Sequence, residues 1–312
     1  MKNQELFESY KLAYYIRTVE ETIADNYSDN VMRCPIHLSI GQEMVPSILA
    51  LELTIKDLAV SSHRSHAHYL AKGGSLERFF DELFGLETGC SKGRGGSMHL
   101  VDKDVGFMGS TAIVGNTIPI GVGLGESIKL DNEKDIVVIY LGDGATEEGV
   151  FWESFNYAIV RKLPCLFVIE DNNYSVYTGI ETRQADIALS AKLKGYTKNI
   201  FTSKDHDFEE FRVTVAEAIL LCRKNEPCAI IAETFRYREH CGPNNDDELN
   251  YRPSWHISHW KDRDILAMLE SKISKDAPKE ELLKIRNDIK AFVSNVFLKS
   301  KNKRLSSMYD LH

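Results

Sequence analysis

The 312-residue chain lacks several features that would set it apart from ordinary globular proteins. It has no run of about eighteen apolar residues, and its charged, helix-like N-terminal segment differs from a secretory signal, so we expect neither a membrane span nor a signal peptide. Its six cysteines include no C-x-x-C pair, and several lie in apolar runs such as LPCLFVI and EPCAIIA. These cysteines indicate reduced core residues of a cytoplasmic protein.

Positive charge is also scarce, with 38 lysines and arginines against 46 aspartates and glutamates and a formal net charge of -8. A surface that binds nucleic acid or an anionic membrane favours a concentrated basic patch, so we expect neither partner. Any anionic ligand must therefore be bound by a few local donors. The hydrophobic fraction of 43% and the charged fraction of 27% are typical of a protein that buries a large core.

Three common motifs are missing or incomplete. No G-x-x-x-x-G-K-[ST] loop and no G-x-S-x-G turn is present, which sets aside P-loop and serine-hydrolase chemistry. The stretch GVGLGE approaches the dinucleotide fingerprint, but Glu126 stands where the last glycine belongs and no strand-like run precedes it. The helical spacing of Ile120, Leu124 and Ile128 predicts a closely packed helix here instead.

Strand-like and helical segments alternate regularly along most of the chain. Residues 4–28 have apolar side chains at helical spacing, and the later strand-like runs are LAVSS, DIVVIYL, CLFVIE, NIFTS and CAIIAETF. This alternation is typical of an α/β fold with a mainly parallel sheet and helices on both faces. We predict one α/β domain over residues 1–253, which includes the opening helix, and a helical C-terminal extension over residues 254–312.

Two segments, residues 87–100 and 107–127, concentrate glycine and other small residues. Glycine permits positive φ values and close approach of the backbone to a ligand, so both segments are candidates for a binding site. The alternative is a pair of flexible surface loops.

A cluster of histidines, SSHRSHAHYL, contains His63, His66 and His68. Imidazoles at this spacing can share a metal ion, but no carboxylate or thiol follows at a familiar zinc spacing. With Arg64 among them, the cluster is more typical of a site that binds an anion.

Polar residues follow two of the predicted strands. Asp143 lies in the sequence GDG, which follows DIVVIYL, and Asn172 lies just after CLFVIE. The two residues are 29 positions apart, a separation that fits one strand-helix-strand crossover. Both residues would then lie at the carboxyl edge of the sheet, where open α/β sheets bind ligands. A carboxylate, an amide oxygen and a backbone carbonyl just past Asn172 suit Mg2+. The alternative is a pair of turn-forming residues at strand ends.

The segment GDGATEEGVFWESFNYAIVRKLPCLFVIEDNNY resembles the thiamine-diphosphate motif, in which GDG is followed one crossover later by an asparagine pair. Asn172 matches the second member of that pair, and Asp171 replaces the first. Further stretches match in order: HLSIGQE, HRSH, GRGGSMH, AIVG and ETFRY, with His240 shortly after. Over residues 10–255 the chain resembles the α subunit of the E1 component of 2-oxo acid dehydrogenases, the group that includes pyruvate, branched-chain and acetoin dehydrogenases.

The resemblance implies a thiamine-diphosphate-binding fold and particular site residues. Asp143, the Asn172 side chain and the Tyr174 carbonyl would bind Mg2+, and Asp143 and Asn172 thereby belong to the cofactor site. The other residues expected to contact the cofactor are Arg64, Ala112, Val114, Gly142, Gly144, Ala145, Arg236 and His240. The expected catalytic histidines are His37, which would face the substrate channel, His66 and His240.

The resemblance also implies partners. The bound cofactor supplies the carbon chemistry, in which a 2-oxo acid loses CO2 and the remaining unit is passed on. A carboxylate that activates the cofactor comes from a β subunit in this family, and we find no second α/β domain in this sequence that could supply it. We therefore expect an α2β2 heterotetramer, with a lipoyl-bearing acyltransferase as a further partner.

The chain departs from the family pattern near the predicted diphosphate site. His63 precedes Arg64 where the family usually has tyrosine, so one phosphate contact is expected to differ. Residues 238–251 replace the usual G-H-S-x-S-D loop, and Cys241 stands where some relatives have a phosphorylated serine. The turn-forming and acidic residues of this loop predict a reshaped channel mouth. The alternative is a solvated loop of no special role.

Three functions remain open at this stage. The expected one is a thiamine-diphosphate- and Mg2+-dependent E1 α subunit that decarboxylates a 2-oxo acid and acylates a lipoyl carrier. The second is a thiamine-dependent carboligase that passes the decarboxylated unit to an aldehyde or ketone in a biosynthetic pathway. The third is a non-enzymatic scaffold, and the intact Asp143, Asn172 and His240 count against it.

Overall fold

A computed structural model describes residues 2–32, 34–204, 207–273 and 279–309. The strands are β1 (Leu58–Ser61), β2 (Phe107–Ser110), β3 (Val137–Gly142), β4 (Cys165–Asp171), β5 (Tyr174–Ser175), β6 (Thr178–Gly179), β7 (Ile200–Ser203) and β8 (Cys228–Glu233). The α-helices are α1 (Lys2–Asn26), α2 (Met44–Glu52), α3 (His66–Ala71), α4 (Leu76–Leu83), α5 (Thr117–Leu130), α6 (Gly149–Arg161), α7 (Ile180–Arg183), α8 (Leu189–Lys194), α9 (Phe208–Cys222), α10 (Ser254–Lys261), α11 (Ile265–Ile273) and α12 (Lys279–Tyr309). Within the described ranges, no helix has the length and apolar character needed to cross a membrane.

The chain divides into two compact units, which we call the sheet unit (residues 48–63 and 103–235) and the helical unit (residues 1–47, 64–102 and 236–312). In the sheet unit, six strands form one sheet in the order β2-β1-β3-β4-β8-β7, and every neighbouring pair is parallel. The carboxyl ends of these strands therefore meet at one edge. The short strands β5 and β6 form a separate antiparallel pair.

The sheet has apolar side chains buried on both faces, which explains why its strands have nearly continuous apolar sequences. Ile139 of β3 and Phe167 of β4 belong to one cluster with Phe151 and Phe155 of α6. Helix α9 packs against β4, β7 and β8. The alternate strand residues are also fully or almost fully buried, including Val138, Tyr140, Leu166, Val168 and Ile230. The predicted α/β fold with a parallel sheet flanked by helices is confirmed.

Helix α5 packs closely against the sheet through its glycines. A Cβ on Gly121 would lie 2.5 Å from Cγ1 of Ile139, and a Cβ on Gly125 would lie 2.4 Å from Sγ of Cys165, closer than real Cβ atoms approach. Ile120, which the sequence assigns to the packed face, is 51% exposed. The predicted helix is therefore confirmed: Ile128 is buried and Leu124 packs against the core, whereas the assignment of Ile120 to the packed face is wrong. The closest approach to the sheet is made by residues without side chains.

The helical unit is built around α1, which packs against α3, α11 and α12. Buried residues of α1 recur at helical spacing, including Leu6, Tyr10, Ala13, Ile16, Val19 and Ile23. Arg17 on the same helix donates from Nη2 to Glu43 Oε2 at 3.0 Å and to Asp264 Oδ2 at 2.9 Å. These contacts join the first helix of the unit to its C-terminal helices. The opening helix is thereby confirmed, with bounds close to those predicted.

The five strands predicted from apolar runs are β1, β3, β4, β7 and β8. Strand β2 was not predicted, because its sequence FMGS contains glycine and serine in place of an apolar run. Helices α10, α11 and α12 occupy the described part of the predicted helical extension. The predicted domain boundary at residue 253 stays a prediction.

Candidate functional site

Two polar turns follow β3 and β4 at the carboxyl edge of the sheet. Asp143 comes directly after β3 and Asn172 directly after β4. The two strands are neighbours, and Gly142, the last residue of β3, lies opposite Glu170, one residue before the end of β4. The structure therefore brings Asp143 and Asn172 to the same edge, as the crossover spacing indicated. Their role as metal ligands stays a prediction.

Asp143 is almost fully buried and has a cationic partner. Its Oδ2 accepts a hydrogen bond of 2.6 Å from Nη2 of Arg183. Burial, and then the neighbouring Asp171 carboxylate, raise the pKa of Asp143 to about 7, and Arg183 opposes this rise. Burial also raises the pKa of Asp171. Two desolvated carboxylates at one sheet edge favour a bound cation, because a cation compensates charge that water no longer solvates.

The segment after β4 turns sharply. Oδ1 of Asn172 accepts a hydrogen bond from the Tyr174 amide at 3.0 Å, and Oδ1 of Asp171 accepts one from the Asn173 amide at 3.0 Å. Such side-chain-to-backbone bonds hold turns in place. The turn between β5 and β6 contains Val176 with φ +56°, a left-handed conformation that costs a β-branched residue energy. The predicted ligand Tyr174 therefore lies in a constrained hairpin.

The remaining predicted cofactor contacts of the sheet unit lie at the same edge. Gly142 ends β3, and Gly144, Ala145, Ala112 and Val114 are on segments that follow β3 or β2. A Cβ on Gly144 would lie 3.1 Å from Oγ of Ser175, so the turn after β3 packs closely against the hairpin. Ala112 and Val114 lie between β2 and α5, where Val114 is 45% exposed. These placements are compatible with backbone contacts to a ligand, which stay predictions.

In the helical unit, three predicted residues lie together. Arg64 donates from Nη1 to the Leu38 carbonyl at 2.6 Å and from Nη2 to the His240 carbonyl at 3.0 Å. The rings of His37 and His240 meet edge to face, with centroids 5.0 Å apart. A guanidinium beside two imidazoles is a donor set that suits an anion.

Arg236 is buried in the loop of residues 238–251. Its Nη2 donates to Oη of Tyr251 at 3.0 Å, and its Nη1 lies 3.6 Å from Oδ2 of Asp246. Asp246 also accepts from Oη of Tyr251 at 2.6 Å and pairs with Arg252. Asp246, one of the acidic residues of this loop, is therefore buried and its charge is compensated by Arg236 and Arg252. Contact of Arg236 with a diphosphate stays a prediction.

His66, predicted to be catalytic, is fully buried and has partners at both ring nitrogens. Nδ1 lies 2.9 Å from Glu20 Oε2, and Nε2 lies 2.6 Å from Oγ of Ser97. Glu20 Oε1 also accepts from the Ser39 amide at 2.8 Å. This geometry supports a positioning role for His66, in which it fixes neighbouring segments. Both ring nitrogens of His66 are therefore engaged by other side chains, and the absence of a zinc site in this histidine cluster stays a prediction.

The first glycine-rich segment wraps around the carboxylate of Glu82. Oε2 accepts from the amides of Ser91 at 2.7 Å and Gly93 at 2.9 Å, and Oε1 accepts from those of Gly95 at 2.7 Å and Gly96 at 3.0 Å. Backbone donors that would otherwise be buried without partners are thus satisfied by one side chain. The alternative of a flexible surface loop is not supported, because the segment has a defined internal anchor.

Two of these contacts were missed in the sequence. Arg183 lies in a short polar segment that has no recognisable pattern. Glu82 lies near the end of α4, where it is buried. Its local sequence does not show that its carboxylate accepts hydrogen bonds from the glycine-rich segment. Buried backbone amides need hydrogen-bond acceptors, so an acidic residue shortly before a glycine-rich segment is a candidate acceptor for its amides.

Comparison with known proteins agrees with these features. A family profile described as dehydrogenase E1 component matches residues 10–308. The chain is 33% identical to the pyruvate dehydrogenase E1 component subunit alpha of Rickettsia bellii (strain RML369-C), over 99% of this chain and 95% of the relative. It is 32% identical to the protein of that name from Zymomonas mobilis, over 92% and 81%, and 31% identical to the mitochondrial subunit alpha-1 of Arabidopsis thaliana, over 96% and 77%. The chain therefore belongs to the dehydrogenase E1 component family, and its similarity to the α subunits extends over nearly its whole length.

Proposed function

We propose that the chain is the α subunit of a thiamine-diphosphate- and Mg2+-dependent 2-oxo acid dehydrogenase. With a β subunit it would decarboxylate a 2-oxo acid, of which pyruvate is the first candidate, and pass the acyl unit to a lipoyl carrier. The observation that carries the proposal is the placement of Asp143 and Asn172 directly after the neighbouring parallel strands β3 and β4, in a chain of the E1 family.

The residues at this edge fit a divalent cation. Asp143 and Asp171 are two desolvated carboxylates at this edge, and Asp143 pairs in the structure with the Arg183 guanidinium, so its carboxylate binds positive charge. Asn172 is partly exposed, and its amide oxygen has a second lone pair beyond the one that the Tyr174 amide uses. We infer that Asp143, Asn172 and the Tyr174 carbonyl would bind Mg2+, a set of hard oxygen donors that this ion prefers.

The donors of the helical unit fit a diphosphate. Arg64 is anchored at two backbone carbonyls, which fixes its guanidinium before a ligand arrives. His240 lies beside it and can donate a hydrogen bond from a ring nitrogen. We infer that Arg64, Arg236 and His240 would compensate the diphosphate charge. Local compensation of this kind lets a protein of net charge -8 bind an anionic cofactor.

When bound, thiamine diphosphate supplies the carbon nucleophile and accepts the electrons of the bond that breaks as CO2 leaves. The contribution of this chain is to bind and orient the cofactor and to place histidines near the substrate. His37 and His240 lie in ring contact, and each imidazole could hold or release a proton as the substrate changes charge. His66 would support them from the core through Ser97 and Glu20.

A β subunit would complete the site. The relatives named above are each described as a subunit alpha, and the resemblance assigns the cofactor-activating carboxylate to a β chain. We therefore infer an α2β2 assembly with a cytoplasmic location. A lipoyl-bearing acyltransferase would receive the product of the reaction.

The alternative function, a carboligase, depends on whether the loop of residues 238–251 admits an acceptor other than a lipoyl domain. One contact lies within the loop, where Glu239 Oε1 accepts from the Asn244 amide at 2.9 Å. A second anchors the loop to another segment, where the Gly242 amide donates to the Ile36 carbonyl at 2.9 Å. If this loop shapes the acceptor channel, replacing it by the usual family sequence should change acceptor use more than decarboxylation. Efficient acylation of a standard lipoyl domain by the native protein, with no effect of the loop exchange, would reject the carboligase reading.

The deciding experiment assays the purified α and β pair against a panel of 2-oxo acids. Decarboxylation is followed with an artificial electron acceptor, and transfer is followed with either a lipoyl domain or an aldehyde. The proposal predicts decarboxylation that requires both subunits, together with acylation of the lipoyl domain. Turnover by the α chain alone, or no decarboxylation of any 2-oxo acid, would contradict it.

A further inference from the structure

Arg183 makes an unusual set of contacts at the carboxyl edge of the sheet. It ends the short helix α7, and its side chain is only 8% exposed. Nη2 donates to Asp143 Oδ2 at 2.6 Å, Nε donates to the Thr178 carbonyl at 3.1 Å, and Nη1 pairs with Glu147. One guanidinium therefore joins the acidic turn after β3 to the hairpin after β4. This places a fixed cation at the carboxylate assigned to the metal.

A divalent cation and Arg183 cannot both bind Asp143 at close range without a large electrostatic cost. Asp143 is buried, so the repulsion between two neighbouring cations would be only weakly screened. Asp171 adds negative charge at the same edge, but its Oδ1 is already used by the Asn173 amide. The cation that neutralises Asp143 is therefore either the arginine or the metal.

We propose that Arg183 is an internal counter-ion that competes with the metal for Asp143, and that it moves toward Glu147 when the metal binds. The inference rests on the proposed function, because it takes Asp143 as a metal ligand. Glu147 is the natural acceptor for the displaced guanidinium, because it already pairs with Nη1 and its side chain is 30% exposed. Gln184 Nε2 donates to the same Glu147 oxygen at 3.1 Å and fixes the position of that carboxylate.

The competition sets the affinity of the metal site. Binding of Mg2+ must break the contact between Arg183 and Asp143, so the site binds more weakly than the same ligands would without the arginine. Removing the positive charge should therefore strengthen metal binding, although it removes a stabilising ion pair. Weakening the alternative partner Glu147 should have the opposite effect, because the arginine would then leave Asp143 less readily. The two changes together separate competition from general damage to the site.

The test measures binding of thiamine diphosphate by titration calorimetry while the Mg2+ concentration is varied. The samples are full-length α chains copurified with the β subunit: the native protein, Arg183→Gln, Glu147→Gln and the control Arg161→Gln. Arg161 belongs to the same unit and pairs with Glu126 on an exposed surface. A charge within a few ångströms changes the affinity of a carboxylate for a cation by about one to three powers of ten. We therefore expect Arg183→Gln to lower the half-saturating Mg2+ concentration by about tenfold or more.

Glu147→Gln should raise the half-saturating concentration, and Arg161→Gln should leave it unchanged. Equal Mg2+ dependence in native protein and Arg183→Gln, or weaker binding by Arg183→Gln, would overturn the inference and leave the proposed function standing. If Arg183→Gln does not fold, Glu147→Gln decides alone, and an unchanged or lower half-saturating concentration in that variant overturns the inference. Binding that is independent of Mg2+ in the native protein would instead overturn the metal assignment itself, and the inference with it.

Discussion

Gly121 of α5 lies so close to Ile139 of β3 that a Cβ on the glycine would come within 2.5 Å of Cγ1 of the isoleucine. Val60 of β1 lies almost as near, with its Cγ2 at 2.9 Å. Two neighbouring strands thus meet the helix at one residue. The absence of a side chain is what allows α5 to cover this part of the sheet.

Gly121→Ala should therefore destabilise the protein by about 1 to 3 kcal/mol, the usual cost of overpacking a core. Gly123→Ala is the matched control, because a Cβ at that position of the same helix meets nothing within 4 Å. Alanine has the higher helix propensity, so the control should gain about 0.5 to 1 kcal/mol. Denaturant unfolding of the two variants measures both values. Equal stability of the variants would refute the close packing of α5.

Asp57 should make a pH-dependent contribution to the stability of the fold. Its buried carboxylate accepts two hydrogen bonds from Arg223 at 2.8 Å and one from the Ile136 amide at 3.0 Å. Burial alone would raise the pKa of Asp57, but the Arg223 and backbone hydrogen bonds lower it below its usual value. The charged form is therefore favoured by folding.

Because the folded-state pKa is depressed, the contribution of Asp57 is complete above the unfolded pKa of about 3.9 and is lost as the pH falls through the folded pKa. Asp57→Asn should cost about 2 to 3 kcal/mol at neutral pH, and the difference from native protein should shrink below about pH 4. Asp131→Asn, at an exposed position, is the control. A stability difference that stays constant down to acid pH would argue against this assignment.

Ser97 should stabilise the core through His66. Its hydroxyl lies 2.6 Å from Nε2 of the fully buried imidazole, and Ser97→Ala would leave that nitrogen without this partner. An orphaned buried polar group costs about 1 to 3 kcal/mol. The control Ser127→Ala removes an exposed hydroxyl with only a 3.5 Å contact to Asp131, and should change stability by less than about 0.5 kcal/mol. Thermal unfolding of both variants makes the comparison, and equal effects would show that the pair contributes nothing specific.

The main strands and helices could be predicted from the sequence because they depend on local patterns of apolar residues. The apolar runs of β3 and β4 and the crossover spacing of Asp143 and Asn172 were sufficient to place both residues at one sheet edge. Strand β2 was missed because its four residues have no apolar run. On α5 the periodicity correctly assigned Leu124 and Ile128 to the packed face but wrongly included Ile120, because it weights large side chains, whereas Gly121 and Gly125 make the closest contacts.

Polar contacts between residues far apart in the sequence were the hardest features to predict. Arg183 meets Asp143 across 40 residues, and nothing near either residue indicates the partner. Asp246 is the first of three consecutive acids in the loop, and nothing in that run indicates that it is buried between Arg236 and Arg252. The identity of an ion-pair partner depends on how separate segments meet, and that information is spread over the whole chain.

The central claim is that Asp143 binds the metal that holds thiamine diphosphate, and Asp143→Asn tests it most directly. The substitution keeps the size of the side chain but removes the charge that this account assigns to Mg2+. Titration calorimetry of the α and β pair should show loss of Mg2+-dependent thiamine diphosphate binding, while the control Asp186→Asn, at an exposed position of the same unit, binds like the native protein. Circular dichroism should show that both variants remain folded. Near-native affinity of Asp143→Asn for thiamine diphosphate in the presence of Mg2+ would contradict the account.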